Sequence, residues 1–289
     1  MLSQLKRKYP LKEFTTIKIG GRAELFFTPS KEEDIIRLLP KLAQDYPLYY
    51  LGGGSNTIFG NFKGVVVYTG NLKGWQIVKE TYEGVYIEAL AGTPIKDFYP
   101  LCVEKSLFGL EMLMGIPRIT VGGAVAMNAG AYGREISSVV EKVIYFDPTE
   151  GVFKAIKPQF GYRSSPFPQK GLVLKVLLKL EKKKESFKRV VAKLSRLRRE
   201  KQPLSYPTAG STFKNPPQGY AGKLLQEVGL KGFCTKNGLC FSEKHANFLV
   251  NRDLKATFDD VLKILDIAKE RVFREFGIVL QEEVKIVGN

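Results

Sequence analysis

Histidine is almost absent from this chain. Its 289 residues hold one, His245, so a His-rich metal centre and a histidine pair for acid–base work are both excluded. Cysteine is scarce as well: Cys102, Cys234 and Cys240 are odd in number and form no C-x-x-C pair. A disulfide framework and a zinc site are therefore not expected, and a reducing compartment is. No apolar run reaches the roughly 18 residues that a membrane span needs. The start, MLSQLKRKYPLKEF, is basic without the apolar stretch of a secretory signal. G-x-S-x-G is missing too, and with one histidine no Ser-His-Asp set exists, which disfavours serine hydrolase chemistry.

What is present suffices for a folded protein. At roughly 100–200 residues per domain the length predicts two or three domains, and 44% hydrophobic residues provide a packed core. Lys and Arg number 45 against 29 Asp and Glu, a formal charge of +16. A concentrated basic stripe would suggest nucleic acid. Scattered cations would suggest a solvated surface with local pockets for anionic small molecules.

The pattern alternates strands and helices. Arg22–Thr28, Pro47–Leu51 and Gly64–Thr69 read as strands, with Ser30-x-x-Glu33 as a capping box opening a helix to about Leu42. Val85–Ala91, Val139–Asp147 and Leu172–Leu180 read as further strands, and Pro94–Lys105 as a helix. In the 172–180 strand Leu174, Val176, Leu178 and Leu180 share one face, with Lys175 and Lys179 on the other. Glu181–Gln202 reads as a basic amphipathic helix ended by Pro203. It reads first as a solvated linker helix and second as a nucleic-acid stripe, the order set by the lack of aromatic residues among its cations. A short helix covers about Tyr220–Val228. A longer one opens on the Thr257–Asp260 capping box, carries a stripe of Phe258, Val261, Leu262, Leu265, Ala268, Val272 and Phe276, and stops at Gly277. Val279–Val287 is expected as a final strand. Domain boundaries fall near residues 72 and 205, dividing the chain into 1–72, 73–204 and 205–289.

Five stretches could carry chemistry. Gly52-Gly53-Gly54-Ser55-Asn56 follows a strand; its glycines suit either a tight turn or an anion-binding nest, but neither a P-loop nor a Rossmann fingerprint. Gly115–Gly133 (GIPRITVGGAVAMNAGAYG) is too rich in glycine for one helix interior, and its small side chains admit close approach to the backbone. Two such loops suggest a cofactor with a pyrophosphate between two lobes; close packing of a loop on a sheet is the plainer reading. Ala209–Pro216 (AGSTFKNP) presents the Ser211 hydroxyl on a turn, which can give a proton to a basic carbanion or serve only the turn. In Tyr162-Arg163-Ser164-Ser165 the guanidinium could hold a carboxylate bidentately. In Gln281-Glu282-Glu283-Val284 one of the two carboxylates must face inward if the segment is a strand. His245 has no metal-ligand companion and is expected to be structural.

In this order the motifs resemble one family, the UDP-N-acetylenolpyruvoylglucosamine reductases. The matching strings are Thr16–Ala23 (TIKIGGRA), Tyr50–Asn56 (YLGGGSN), Gly115–Gly133, Gly161–Phe167 (GYRSSPF), Gln202–Pro216 (QPLSYPTAGSTFKNP), Gly229–Gly232 (GLKG), Ser242–Asn251 (SEKHANFLVN) and Leu280–Val284 (LQEEV). They span nearly the whole chain, and the short Pro217–Val228 interval resembles the subclass lacking a tyrosine-bearing substrate loop.

The resemblance implies an α+β protein: a PCMH-type FAD-binding fold of two lobes plus a C-terminal α/β substrate-binding domain, whose last strand could pack back on the first lobe. It implies a cytoplasmic monomer that binds no nucleic acid or membrane, reducing a UDP-sugar enolpyruvyl ether with NADPH through non-covalent FAD, in peptidoglycan precursor synthesis. Arg163 matches the arginine that holds the substrate carboxylate and enolate, Ser211 the serine that protonates carbon, and Glu283 the carboxylate assisting there. Gly52, Gly53, Gly54, Ser55 and Asn56 match flavin-loop residues, as do Gly115, Ile116, Pro117, Gly122, Gly123 and Ala124, with Asn128, Gly130 and Gly133 nearby. Tyr162, Lys201, Lys214 and Asn215 match substrate-side residues. The sequence departs from the family in three places. The 115–123 loop has Arg118 and one extra residue, Glu282 replaces a proline, and Asn237-Gly238 replaces a Gly-Gly pair, which asparagine tolerates at positive φ.

Overall fold

The computed structural model describes residues 4–289; Met1–Ser3, the tip of the segment read as lacking a signal, lie outside the described residues. Two compact units emerge. The first comprises the chain up to Lys8 with Glu24–Gly53 and Lys63–Arg196; the second comprises Tyr9–Ala23, Gly54–Phe62 and Leu197–Asn289. Two segments from the first 72 residues thus cluster with the C-terminal region.

The first unit has two cores. A four-stranded sheet runs in the order Leu5–Pro10, Arg22–Phe27, Phe62–Tyr68, Leu48–Leu51, with the last two parallel. The Glu32–Asp45 helix closes this core with Ile35, Leu39 and Leu42. Its start differs from the expected Ser30/Glu33 box. Asp34 collects the Ser30 N–H and hydroxyl, each at 3.1 Å, and the Lys31 N–H at 3.3 Å. It is the carboxylate one residue later, buried where Glu33 is not, that reaches back to the amides just before the helix.

A six-stranded sheet supports the larger core. Its main path is Val152–Ile156, Val140–Asp147, Leu172–Lys182, Gly84–Leu90, Trp75–Glu80, with Leu107–Phe108 also on the central strand. The expected single face of the 172–180 strand is broken. The ladder slips between Ile144 and Tyr145, whose partners are Lys175 and Val173, so Leu174 is a bulge. An extra residue reverses the alternation. Leu172 and Leu174 join the smaller core, whereas Val173, Val176, Leu178 and Leu180 enter the larger one. The strand also runs to Lys182, because Glu181 pairs with both Gly84 and Phe108. The basic helix is therefore Phe187–Lys201, shorter than expected. Helix also occurs where glycine argued against it: Val121–Met127 is one helix, and Gly122 admits Ala91, whose Cβ would lie 2.6 Å from an added Cβ.

In the second unit a three-stranded sheet, ordered Thr208–Ser211, Phe248–Asn251, Leu239–Phe241, packs with the Ala221–Glu227 and Phe258–Phe276 helices. The Thr257–Asp260 capping box is present, with Asp260 N–H on the Thr257 hydroxyl at 3.2 Å, and Gly277 takes φ +66. Such a cap contributes about 1 kcal/mol. The helix buries Val261, Ile264, Leu265, Ala268 and Val272, while Leu262 is 40% exposed. Ile264 thus replaces Leu262 in the expected stripe, as a 3.6-residue period requires. The closing strand is only Lys285–Val287, parallel to Thr57–Phe59. Cys234 and Cys240 are joined, correcting the expectation of free thiols: a tight hairpin sets them across an isolated bridge, Cα atoms 4.0 Å apart. Asn237 is not at positive φ. Gly238 is, at +76, and the Asn237 amide instead donates to Asp260 at 2.8 Å.

Candidate functional site

In the first unit, Gly52 and Gly53 meet the 118–123 loop. A Cβ on Gly52 would lie 2.6 Å from Thr120 Oγ1, and one on Gly53 would lie 1.5 Å from the Arg118 carbonyl oxygen. Thr120 in turn caps the Val121–Met127 helix, accepting the Gly123 N–H at 3.3 Å. Glycine here serves backbone contact, and the two loops seen in the sequence are in fact neighbours. Beside that contact a cavity of about 460 Å³ is lined by Gly53, Tyr68, Gly70, Lys73, Gly92, Pro94, Lys96 and Met114–Thr120. Its volume is that of a small-molecule site, about 300–1,000 Å³. Lys73 and Lys96, which no motif marked, give its wall positive charge suited to a pyrophosphate.

Asn128, Gly130, Gly133 and Ala124 do not line this cavity. Ala124 and Asn128 are buried; Gly133 turns the Ala131–Arg134 hairpin at φ +77. Asn128 spends its amide on the protein, donating to Glu135 Oε2 at 2.7 Å and to the Gly161 carbonyl at 2.9 Å. Arg163 sits at the tip of a turn in which Gly161 and Ser164 exchange backbone hydrogen bonds. Its guanidinium donates to Glu135 Oε1 at 3.1 Å and to the Gly130 carbonyl at 3.0 Å, 5.1 Å from the ring of half-exposed Tyr162.

In the second unit, the 208–216 segment is built for presentation. Gly210 takes φ +80, and the ladder to Phe248 is irregular. Asn247 grips Phe213 through both main-chain groups, at 2.9 and 2.8 Å. The Thr212 carbonyl accepts the Glu283 N–H at 2.8 Å, and Lys214 N–H donates to the Gln281 carbonyl at 2.8 Å. Ser211 is half-buried, and among the described residues no hydrogen bond engages its hydroxyl. The Asn56 amide donates to the Glu283 carbonyl at 3.1 Å. Gly54 fits at φ +69 against Phe14, and Ser55 is half-buried.

The two carboxylates part company. Glu282 is ion-paired to Lys269 of the long helix. Glu283 shares its surroundings with Lys285 and Lys214. Burial presses the Lys285 ammonium below the usual lysine range, the Lys214 charge adds to this, and Glu283 opposes it. Lys201 is exposed at the end of its helix, and Asn215 Oδ1 accepts the Ala221 N–H at 3.1 Å. His245 accepts the Asn247 N–H at Nδ1 and packs on Phe248; burial, helped by Lys231, holds its pKa low. The sequence missed Glu135, Asn247, Lys73, Lys96 and Lys285; Asn247 alone lay in a matching string, and its role needs the fold to be seen.

Comparison with known proteins places two regions. Residues 202–287 match the model for the C-terminal domain of UDP-N-acetylenolpyruvoylglucosamine reductase, and residues 23–154 match an FAD binding domain. The chain is 48% identical to the UDP-N-acetylenolpyruvoylglucosamine reductase of Aquifex aeolicus, covering 97% of this chain and 94% of that one. It is 39% identical to that of Caldanaerobacter subterraneus, covering 96% and 92%. The crystal structure of UDP-N-acetylenolpyruvylglucosamine reductase from Thermus caldophilus superposes with a TM-score of 0.77 at 35% identity, covering 98% and 99%.

Proposed function

The chain belongs to the UDP-N-acetylenolpyruvoylglucosamine reductase family, and we propose that it reduces the enolpyruvyl ether of UDP-N-acetylglucosamine to UDP-N-acetylmuramate with NADPH. It is an FAD oxidoreductase of α+β architecture. In this reading the two cores of the first unit are the lobes that grip FAD, and the second unit serves the sugar nucleotide. A cytoplasmic monomer that takes no nucleic acid belongs to the same reading; no helix among the described residues is long and apolar enough to cross a membrane.

The cavity suits a dinucleotide cofactor, since side chains are absent where Gly53, Gly70 and Gly92 form its wall and two lysines stand beside them. Gly52–Asn56 and Gly115–Pro117 would hold FAD, with Gly122, Gly123 and Ala124 backing them. Asn128, Gly130 and Gly133 would shape the adjoining hairpin. FAD, when bound, supplies a hydride carrier that NADPH recharges. The protein's own part is charge and proton. Arg163 would hold the substrate carboxylate and neutralise the enolate that forms, with Tyr162 beside it. Lys201, Lys214 and Asn215 would meet the substrate's anionic portion. Ser211 Oγ would give its proton to the carbon bearing the carboxylate, leaving an alkoxide that Glu283 and the nearby lysines help to reprotonate.

The observation that carries this reading is Ser211, a half-buried hydroxyl with no hydrogen bond among the described residues, on the segment hydrogen-bonded to Glu283. The test is spectroscopic. Purified or FAD-reconstituted protein shows flavin absorbance, anaerobic NADPH bleaches it, and the enolpyruvyl substrate restores it. Protein that takes up no FAD, or bleached protein that the substrate leaves unchanged, would falsify the reading.

The carboxylates supply a paired prediction. Glu283→Gln lowers turnover by about 100-fold, as loss of an acid–base group does. Glu282→Gln removes a half-exposed ion pair, worth at most about 1 kcal/mol, and leaves turnover within about threefold. Steady-state kinetics on both variants decide it, and the reverse order exchanges their roles.

A further inference from the structure

We propose that Glu135 is the positioning residue for Arg163, itself locked by Asn128, so that the guanidinium is oriented before the substrate carboxylate arrives; this rests on the reading of Arg163 just given. Arg163 is in a strained place, at φ +52 in a two-residue turn closed by reciprocal Gly161 and Ser164 hydrogen bonds of 3.1 Å. A non-glycine residue in this region is strained and persists only when its surroundings enforce it.

The enforcement comes from one neighbouring segment. Asn128, 1% exposed and itself at φ +45, donates to the Gly161 carbonyl on one side of the turn. On the other side the Ser165 hydroxyl donates to the Ala126 carbonyl at 2.8 Å. The side chain is fixed as firmly as the backbone. Glu135 Oε1 and the Gly130 carbonyl take the guanidinium at two nitrogens, and Gly130 and Glu135 are direct partners on one hairpin rung. The second oxygen of Glu135 is held by Asn128, whose side-chain Oδ1 accepts the Ser137 N–H at 3.3 Å. Asn128 therefore ties together the turn that carries Arg163 and the carboxylate that aims it.

Charge alone does not explain Glu135. An anion beside a cation meant for a carboxylate weakens the attraction. Two contacts on a planar fork instead fix its plane and heading, and misplacement by about 1 Å costs a reaction about 100-fold. With side-chain exposures of 17% for Arg163 and 31% for Glu135, the pair is partly withdrawn from water and rigid enough for that task.

The two accounts differ in sign for Glu135→Gln. Charge counting predicts tighter binding of the anionic substrate. Positioning predicts a loss of about 10- to 100-fold in kcat/KM, a weaker calorimetric Kd for the substrate, and reduction by NADPH unchanged within about twofold. Glu135→Asp, which keeps the charge but shortens the reach, falls between. Adding Glu135→Gln to Arg163→Lys costs less than about threefold, since a residue acting through another couples to it. A readout independent of substrate is the rate at which phenylglyoxal modifies Arg163, located by mass spectrometry: it rises severalfold once the clamp is removed. Tighter substrate binding, additive losses in the double variant, or an unchanged modification rate would each overturn the proposal. Wild-type protein that NADPH bleaches and the substrate does not reoxidise would instead refute the reading of the reaction, with the phenylglyoxal rate still deciding the clamp.

Discussion

Replacing Ser211 with alanine leaves a protein that NADPH still reduces but that turns over the enolpyruvyl substrate about 100- to 10,000-fold more slowly, the range for loss of a positioned proton donor. The contrast follows from what the hydroxyl does not do. It engages no hydrogen bond among the described residues, so alanine breaks none. The strand carrying it is held by other groups: Asn247 on Phe213, Thr212 on Leu249 and Glu283, and Thr16 donating to the Thr208 carbonyl at 2.6 Å. A half-buried Ser→Ala change with no lost partner stays within about 0.5 kcal/mol, so the melting temperature hardly moves. His245 cannot substitute, being held near-neutral on Phe248 with Nδ1 engaged. Stopped-flow spectroscopy separates the two half-reactions. Parallel loss of both would mean that Ser211 shapes the fold, and unchanged reoxidation would move the proton donor elsewhere.

The sequence was most legible where structure is decided within a few residues. The Thr257–Asp260 box and Gly277 bound their helix as read, because a cap is satisfied by neighbours three residues away. The Gly52–Gly54 and Gly115–Gly133 stretches read as places of close backbone approach, but that they approach each other does not, since a Cβ clash with Arg118 is visible only across some 65 positions. The bulge at Leu174 arises where the ladder to Val140–Asp147 slips by one residue, and no window of one strand contains its partner. Cys234 and Cys240 were misread because composition speaks for compartments and not for one hairpin. In the candidate site, the residues proposed to touch chemistry lie in dense polar or glycine motifs. Glu135 stood in an unremarked stretch, its meaning given by Arg163 and Asn128 from elsewhere in the chain.

Gly53→Ala should be the most damaging single methyl in the first unit. Its Cβ would sit 1.5 Å from the Arg118 carbonyl oxygen and 2.6 Å from the carbonyl carbon. Both are backbone atoms, which no rotamer change moves. Arg118 is already at φ +55, and two positions on, Thr120 caps the Val121–Met127 helix while Ile119 N-terminal to it is buried. Relief therefore requires displacing the 115–120 loop, which is one whole side of the 460 Å³ cavity. Overpacking of this kind costs about 1–3 kcal/mol or more, and here it falls on the wall proposed to hold the cofactor. The variant should purify pale, melt several degrees lower and need far more FAD for half-saturation in a flavin fluorescence titration. Gly133→Ala is the control. At φ +77 with nothing within 4 Å of its Cβ, it bears only the left-handed strain of about 1–2 kcal/mol, and it should remain yellow. If Gly53→Ala keeps wild-type FAD affinity while Gly133→Ala loses it, the cavity wall is not where the cofactor is held, and the hairpin at Gly133 becomes the place to look.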